Sequence, residues 1–231
     1  MSTLSGGPTT VTGNLIFSYD IANPKSYISG SLVLNSLGPT QTTGSILNGP
    51  TYNSANGGSL VLDGTNDYVS LNPSTIPTGN EITIGIWNYG ITNSVGGSIF
   101  GASSGSDRTI NIHLPWVDSV VYWDCGNDGA NFDRVNTSAL SAAQWQNSWH
   151  YWTFTKNAST GVMNIYLDGR LNTAGGARTR TIKTPLTASI GNFVGVYQNS
   201  RVAKLDVYNR ALTATEVLQN YNTTKTRFGL F

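Results

Sequence analysis

Glu81 and Glu216 are the only two glutamates in the chain, and they set the first limit on its chemistry. Retaining hydrolysis of a glycosidic bond needs two carboxyl groups about 5 to 5.5 Å apart on one surface. Glu81 opens an alternating stretch and Glu216 belongs to a T-x-x-E sequence that caps a helix, so neither meets the other locally. No D-x-D or D-x-x-D lies on a well-formed alternating strand, so aspartates do not supply the pair. The imidazoles, His113 and His150, each sit among aromatic residues, the first before Pro115 and Trp116, the second between Trp149 and Tyr151. They read first as hydrogen-bonded core or sheet-face histidines and only second as general bases. Cys125 is the single cysteine and has no basic neighbour in sequence, which predicts a buried, inert thiol, no intrachain disulfide and no cysteine-based zinc site. No catalytic residue is therefore predicted.

Binding chemistry has more candidates. Trp116, Tyr122, Trp123, Asp124, Asn127 and Asn131 group aromatic rings with amides and a carboxylate. That is the composition that stacks on the C–H patches of sugars and reads their hydroxyls. The same alternation turns one of Tyr122 and Trp123 inward, so core packing is the competing and simpler reading. Asp124, Asp128 and Asp133 lie in DCGNDGANFD, a run of hard oxygen donors of the type calcium takes; the spacing is not that of an EF-hand loop, and a solvated polar loop explains it equally well. Arg178 and Arg180 would share one face of a strand over residues 178–183 and could hold phosphate or an acidic partner surface, or simply solvate a sheet edge. Phe228, Leu230 and Phe231 make the C-terminal tail apolar enough to anchor a partner.

The elements that would position these groups are strands. The 231 residues include 26 glycines, 39% are hydrophobic and 10% aromatic, which favours many short strands joined by tight turns around a core that needs no staples. Strands are predicted over residues 15–20, 59–62, 68–71, 81–89, 98–101, 109–114, 120–124, 134–137, 149–156, 162–167, 170–173, 187–191 and 201–207. Residues 23–56 read as a long irregular excursion. Asp168-Gly169 predicts a type I′ hairpin turn, and Thr213 with Glu216 a capping box that starts a short helix near Ala214, stapled by Leu212 and Val217. The domain expectation is a polar arm over 1–13, one sandwich over 14–222 and a tail over 223–231. Charge is nearly balanced, 13 basic against 12 acidic residues, which argues against a general nucleic-acid binder. Neither a signal-peptide pattern nor a membrane-spanning apolar run is present, so a soluble, unprocessed chain made in a reducing cytosol is expected.

Several blocks, taken in order, resemble laminin G-like, concanavalin A-like lectin/glucanase superfamily domains: NLIFSYDIANPKSY (14–27), GPTYNSANGGSLVLDGTNDYVSL (49–71), EITIGIWNY (81–89), INIHLPWVDSVVYWDCG (110–126), WHYWTFTKNASTGVMNIYLDGRL (149–171) and VYNRALTATEVLQNYNTTKTRFGL (207–230). The resemblance implies an all-β, two-sheet antiparallel jelly-roll sandwich with a short C-terminal helix. Its mixture of blocks is similar to structural proteins of tailed phages, notably those of cyanobacterial hosts. The stretch 200–206 departs from the acidic pair that many relatives carry there. The expected function is a non-catalytic virion structural protein, a capsid decoration or tail-associated module. Its expected partners are other virion proteins, host-surface polysaccharide and, as a homo-oligomer, copies of itself. An independent carbohydrate-binding lectin is the alternative and a glycoside hydrolase the distant third. No cofactor other than calcium is expected.

Overall fold

Alternation of aliphatic with small or polar residues sorts the strands onto two sheets that share one interior. The computed structural model describes residues 9–92, 96–105 and 107–231; Gly6, Gly7 and Pro8 of the expected arm lie outside them. In chain order the strands are β1 (Leu15–Asp20), β2 (Val33–Asn35), β3 (Thr43–Leu47), β4 (Thr51–Asn53), β5 (Ser59–Asp63), β6 (Tyr68–Leu71), β7 (Glu81–Gly90), β8 (Phe100–Ser104) and β9 (Asp107–His113). They continue as β10 (Tyr122–Asn127), β11 (Phe132–Asn136), β12 (Trp149–Asn157), β13 (Val162–Leu167), β14 (Arg170–Gly175), β15 (Thr187–Ile190), β16 (Asn192–Phe193), β17 (Val196–Tyr197) and β18 (Asn199–Tyr208). The first sheet runs β14-β13-β12-β7-β18-β5-β4, with β1 also paired to β18; the second runs β11-β10-β9-β8-β15-β6-β3-β2. Both are antiparallel, and β16–β17 forms a separate small hairpin.

Ile82, Ile84 and Ile86 of β7 point inward with Trp152 and Phe154 of β12, Ile84 lying opposite Phe154 and Ile86 opposite Trp152. From the second sheet they meet Ile110, Ile112, Trp123, Cys125 and Val135. Each such side chain, buried in full, stabilises the fold by about 1.5–3 kcal/mol. Lys156 and Asp133 form a charged pair among the inward residues: the Lys156 ammonium is buried, 2.9 Å from Asp133 Oδ2 and 2.9 Å from the Arg178 carbonyl, and ties β12 of one sheet to β11 of the other.

The two outer faces differ. On the first sheet, Trp87, Trp149 and Tyr151 project outward and are covered by the C-terminal segment. Helix α1 (Ala214–Thr224) begins at the predicted residue, with Thr213 N–H donating to Glu216 Oε2 and the Glu216 N–H to Thr213 Oγ1. Val217 packs with Leu212, Tyr208 and Tyr166, while a 3-10 turn, Lys225–Phe228, lays Phe228 on Trp87 with ring centroids 4.1 Å apart. Among the described residues, no helix is long and apolar enough to cross a membrane.

Two expectations are corrected by this architecture. Residues 23–56 are not an irregular excursion throughout, because β3 pairs with β6 and carries β2 at its far edge. Residues 178–183 do not form a strand; a single bridge joins Ile182 to Gly79. Among the described residues, Val11 is buried against the helix, its N–H donating to Asn220 Oδ1, and Phe228 is buried on the sandwich.

Candidate functional site

The outer face of the second sheet carries the charged and aromatic side chains that alternate with the core residues of β9, β10 and β11. Because Ile112, Trp123 and Val135 face inward, His113, Tyr122, Asp124 and Arg134 must face out. Asp124 is fully buried beneath two guanidinium groups. Arg134 holds it through Nε and Nη2 at 2.6 and 2.8 Å, and Arg108 Nη1 reaches Oδ2 at 2.5 Å. The guanidinium planes in turn lie over aromatic rings, Arg134 4.6 Å from the Tyr122 centroid and Arg108 4.7 Å from that of Phe132. Hydrogen bonding to Asp124 raises the Arg134 pKa further above its ordinary value, so this cation is permanent.

Trp116 and Tyr122 meet at a cleft of about 330 Å³ that Arg108, His113, Asp118 and Arg134 also line. The turn preceding β10 builds it: the Trp116 N–H donates to the Val120 carbonyl and the Ser119 N–H to the Trp116 carbonyl. The Tyr122 hydroxyl donates to Asp118 Oδ2 at 2.6 Å, and the Trp116 ring lies 4.5 Å from His113. His113 is buried, with Nδ1 2.8 Å from the Gly97 carbonyl and Nε2 2.9 Å from Asn111 Nδ2. Burial pushes its pKa below the ordinary value, so the imidazole is neutral at pH 7.

Two more clefts adjoin this one. Arg108, Asn127, Asn131 and Phe132 line a space of about 220 Å³, and Gly101, Ser103, Thr187 and Ser189 line one of about 360 Å³. All three share Phe193, from the β16–β17 hairpin that lies on the sheet. Gly101 permits this close approach, since a Cβ there would stand 2.5 Å from the Asn192 carbonyl oxygen.

The candidates named from sequence therefore divide. Trp116, Tyr122 and Asn131 lie on the outer face, and Asn127 lines the same cleft as Asn131 with its amide donating to the Arg108 carbonyl. Trp123 is corrected as a stacking platform: it is fully buried and its indole N–H donates to the Thr155 carbonyl. The calcium set is corrected too. Asp124 faces the outer surface while Asp133 faces the interior, and each carboxylate already has cations: Arg108 and Arg134 on Asp124, Arg180 on Asp128, Lys156 and Arg180 on Asp133. Among the described residues no three His, Cys, Asp or Glu side chains converge as metal ligands. Arg180 is thus engaged by two carboxylates within the chain, and Arg178 donates from Nε to the Arg134 carbonyl. Phe228 is an internal anchor, Leu230 packs partly beside it, and Phe231 is 97% exposed. Sequence reasoning missed Arg108, Arg134, Asp118, Phe132 and Phe193. Strand alternation could have put Arg134 outward, but nothing local shows that Phe193 returns to cover β8.

The groups with catalytic potential are occupied structurally. Glu81 accepts from Asn157 Nδ2 and the Ala211 N–H, and Glu216 is held by Arg210 through two bonds of 2.7 Å. Cys125 is buried and burial pushes its thiol pKa strongly up. On the other sheet His150 lies between Asp168 Oδ2, 2.8 Å from Nδ1, and Ser148 Oγ, 2.9 Å from Nε2. The order is that of a nucleophilic triad. Its members have other partners, however: Nε2 also faces the Ala143 carbonyl, Ser148 Oγ donates to the Gln146 carbonyl, and Asp168 Oδ1 accepts the Tyr151 N–H. The set staples the β13–β14 turn to β12.

Residues 63–218 match the concanavalin A-like lectin/glucanases superfamily, and the chain belongs to it. A search of curated proteins gave no match. Among solved structures the chain is similar to the binding domain of Paraclostridial Mosquitocidal Protein 1, at 17% identity over 95% of this chain and 56% of that one, with a TM-score of 0.72. It is similar also to the botulinum neurotoxin serotype D ligand binding domain solved with N-acetylneuraminic acid (14% identity, 92% and 51% coverage, TM-score 0.71). A third is the binding domain of botulinum neurotoxin DC solved with rat synaptotagmin II (13%, 93% and 52%, TM-score 0.72). At these identities the likeness establishes the fold, and the chain spans about half the length of each of these structures.

Proposed function

We propose that the chain is a non-catalytic recognition module that binds saccharide on the outer face of its second sheet. One observation carries the reading: α1 and its 3-10 extension cover the first sheet's aromatic face, whereas among the described residues the second sheet carries three adjoining clefts walled by rings, guanidinium groups and amides. Rings offer faces to sugar C–H patches, and Asp118, Asn131 and the arginines offer partners to hydroxyls. Similarity to binding domains solved with a sialic acid and with a protein receptor supports recognition over turnover. So does the structural engagement of both glutamates.

The finer reading is a virion structural protein, a decoration or tail-associated module made in the host cytoplasm, that docks on other phage proteins and recognises host-surface polysaccharide. The resemblance of the 14–27 block and of the ending NYNTTKTRFGL (220–230) to tailed-phage proteins supports it. A glycan array tests saccharide binding, with dose-dependent binding expected and a blank array contradicting it. Mass spectrometry of purified particles tests the virion reading, which fails if the protein is absent from them.

A further inference from the structure

We infer that the ligand of this face is an extended saccharide that crosses the Phe193 ridge, not a single terminal sugar, and that Val194 is a contact residue for it. The inference rests on the saccharide-binding reading and adds the ligand's length and one residue that selects for it.

The ridge is built by the β16–β17 hairpin, in which Asn192 pairs with Tyr197 and Phe193 with Val196. Ser189 Oγ of β15 donates to the Asn192 carbonyl at 2.6 Å, which ties the hairpin to the sheet, and the Gly195 N–H donates to Asn192 Oδ1 at 3.0 Å, which braces the turn. Phe193 is buried and its ring lies 5.2 Å from the Arg108 guanidinium. Val194 lines the cleft over Gly101 and Ser103, and Val196 lines the Trp116 and Tyr122 cleft. The two valines thus mark opposite flanks of one ridge. Clefts that share a wall in this way suit successive units of one chain, each unit adding contacts once its neighbour is held.

Val194 supplies the independent observation. Its φ is 48° and that of Gly195 is 82°, so both central residues of the turn are left-handed. Asn, Asp and Gly are the residues that fill such turns, and a β-branched residue there is a conformational outlier. Burial does not compensate, because Val194 is 68% exposed. An apolar, strained side chain held at the mouth of a cleft points to a contact outside the chain. Arg108 Nε and Nη2 and Arg134 Nη1 make no hydrogen bond to the described residues, which leaves donors for hydroxyl or carboxylate groups beside the ridge.

The test is an array of defined mono- to hexasaccharides, followed by calorimetric titration of the best hit as monosaccharide, disaccharide and trisaccharide. Affinity is expected to rise by about tenfold or more from monosaccharide to trisaccharide. Val194→Asn should weaken the trisaccharide by about tenfold and leave the monosaccharide within about twofold. The variant should melt at the same or a higher temperature, because Asn accepts the left-handed turn. Equal affinity along the length series, or undiminished trisaccharide binding by Val194→Asn, overturns the inference and leaves the saccharide reading standing. A blank array removes both.

Discussion

Arg134 grips Asp124 edge-on, Nε 2.6 Å from Oδ1 and Nη2 2.8 Å from Oδ2, and thereby fixes the guanidinium that lies across the Tyr122 ring. The carboxylate is fully buried and therefore depends on its two arginines, while they depend on it for their position at the cleft. Bidentate pairing gives this arrangement its geometric specificity.

Asp124→Asn should release both guanidinium groups. Loss of charge-assisted bonds at this buried site predicts a stability loss of about 2–3 kcal/mol, read by urea denaturation. Saccharide affinity should fall with it, since Arg108 and Arg134 would no longer be held against Phe132 and Tyr122. Unchanged stability would show that the pair is not a structural support.

Glu216 supplies a pH dependence with a definite sign. Its two bonds to Arg210 hold its carboxyl at about 2, against an ordinary 4.5, with the Thr213 cap adding to the effect. The folded-state value is depressed, so this stabilisation is fully present above pH 4.5 and is lost as pH falls through about 2. Glu216→Gln should cost about 1–2 kcal/mol at pH 7 and flatten that acid limb in a series of thermal melts.

Phe228 tests whether the C-terminal segment seals the first sheet. It stacks on Trp87 and lies 4.8 Å from Trp149. Phe228→Ala should destabilise by about 3–5 kcal/mol in chemical denaturation. A variant as stable as the parent would return Phe228 to the role of an exposed anchor.

The Thr213 and Glu216 capping box was legible to the residue because its partners stand three positions apart. Strands with long alternation, such as β7, were legible too, but β2, β3 and β4 are three to five residues long, too short to show alternation, and are ordered by pairing, β3 with β6, β2 with β3 and β4 with β5. Alternation said that Tyr122 and Trp123 must part; which one turned inward followed from packing against Phe154, 5.6 Å away across the sandwich. Asp124 looked like a metal ligand because its arginines come from β9 and β11. Phe228 looked free because its partners, Trp87 and Trp149, lie far back in the chain.

The most direct measurement is nuclear magnetic resonance mapping of the isotope-labelled protein titrated with the strongest array saccharide. Amide shifts should concentrate in residues 108–136 and 192–197, on the outer face of the second sheet. Shifts confined to the α1-covered face, or none at a saturating concentration, would contradict it.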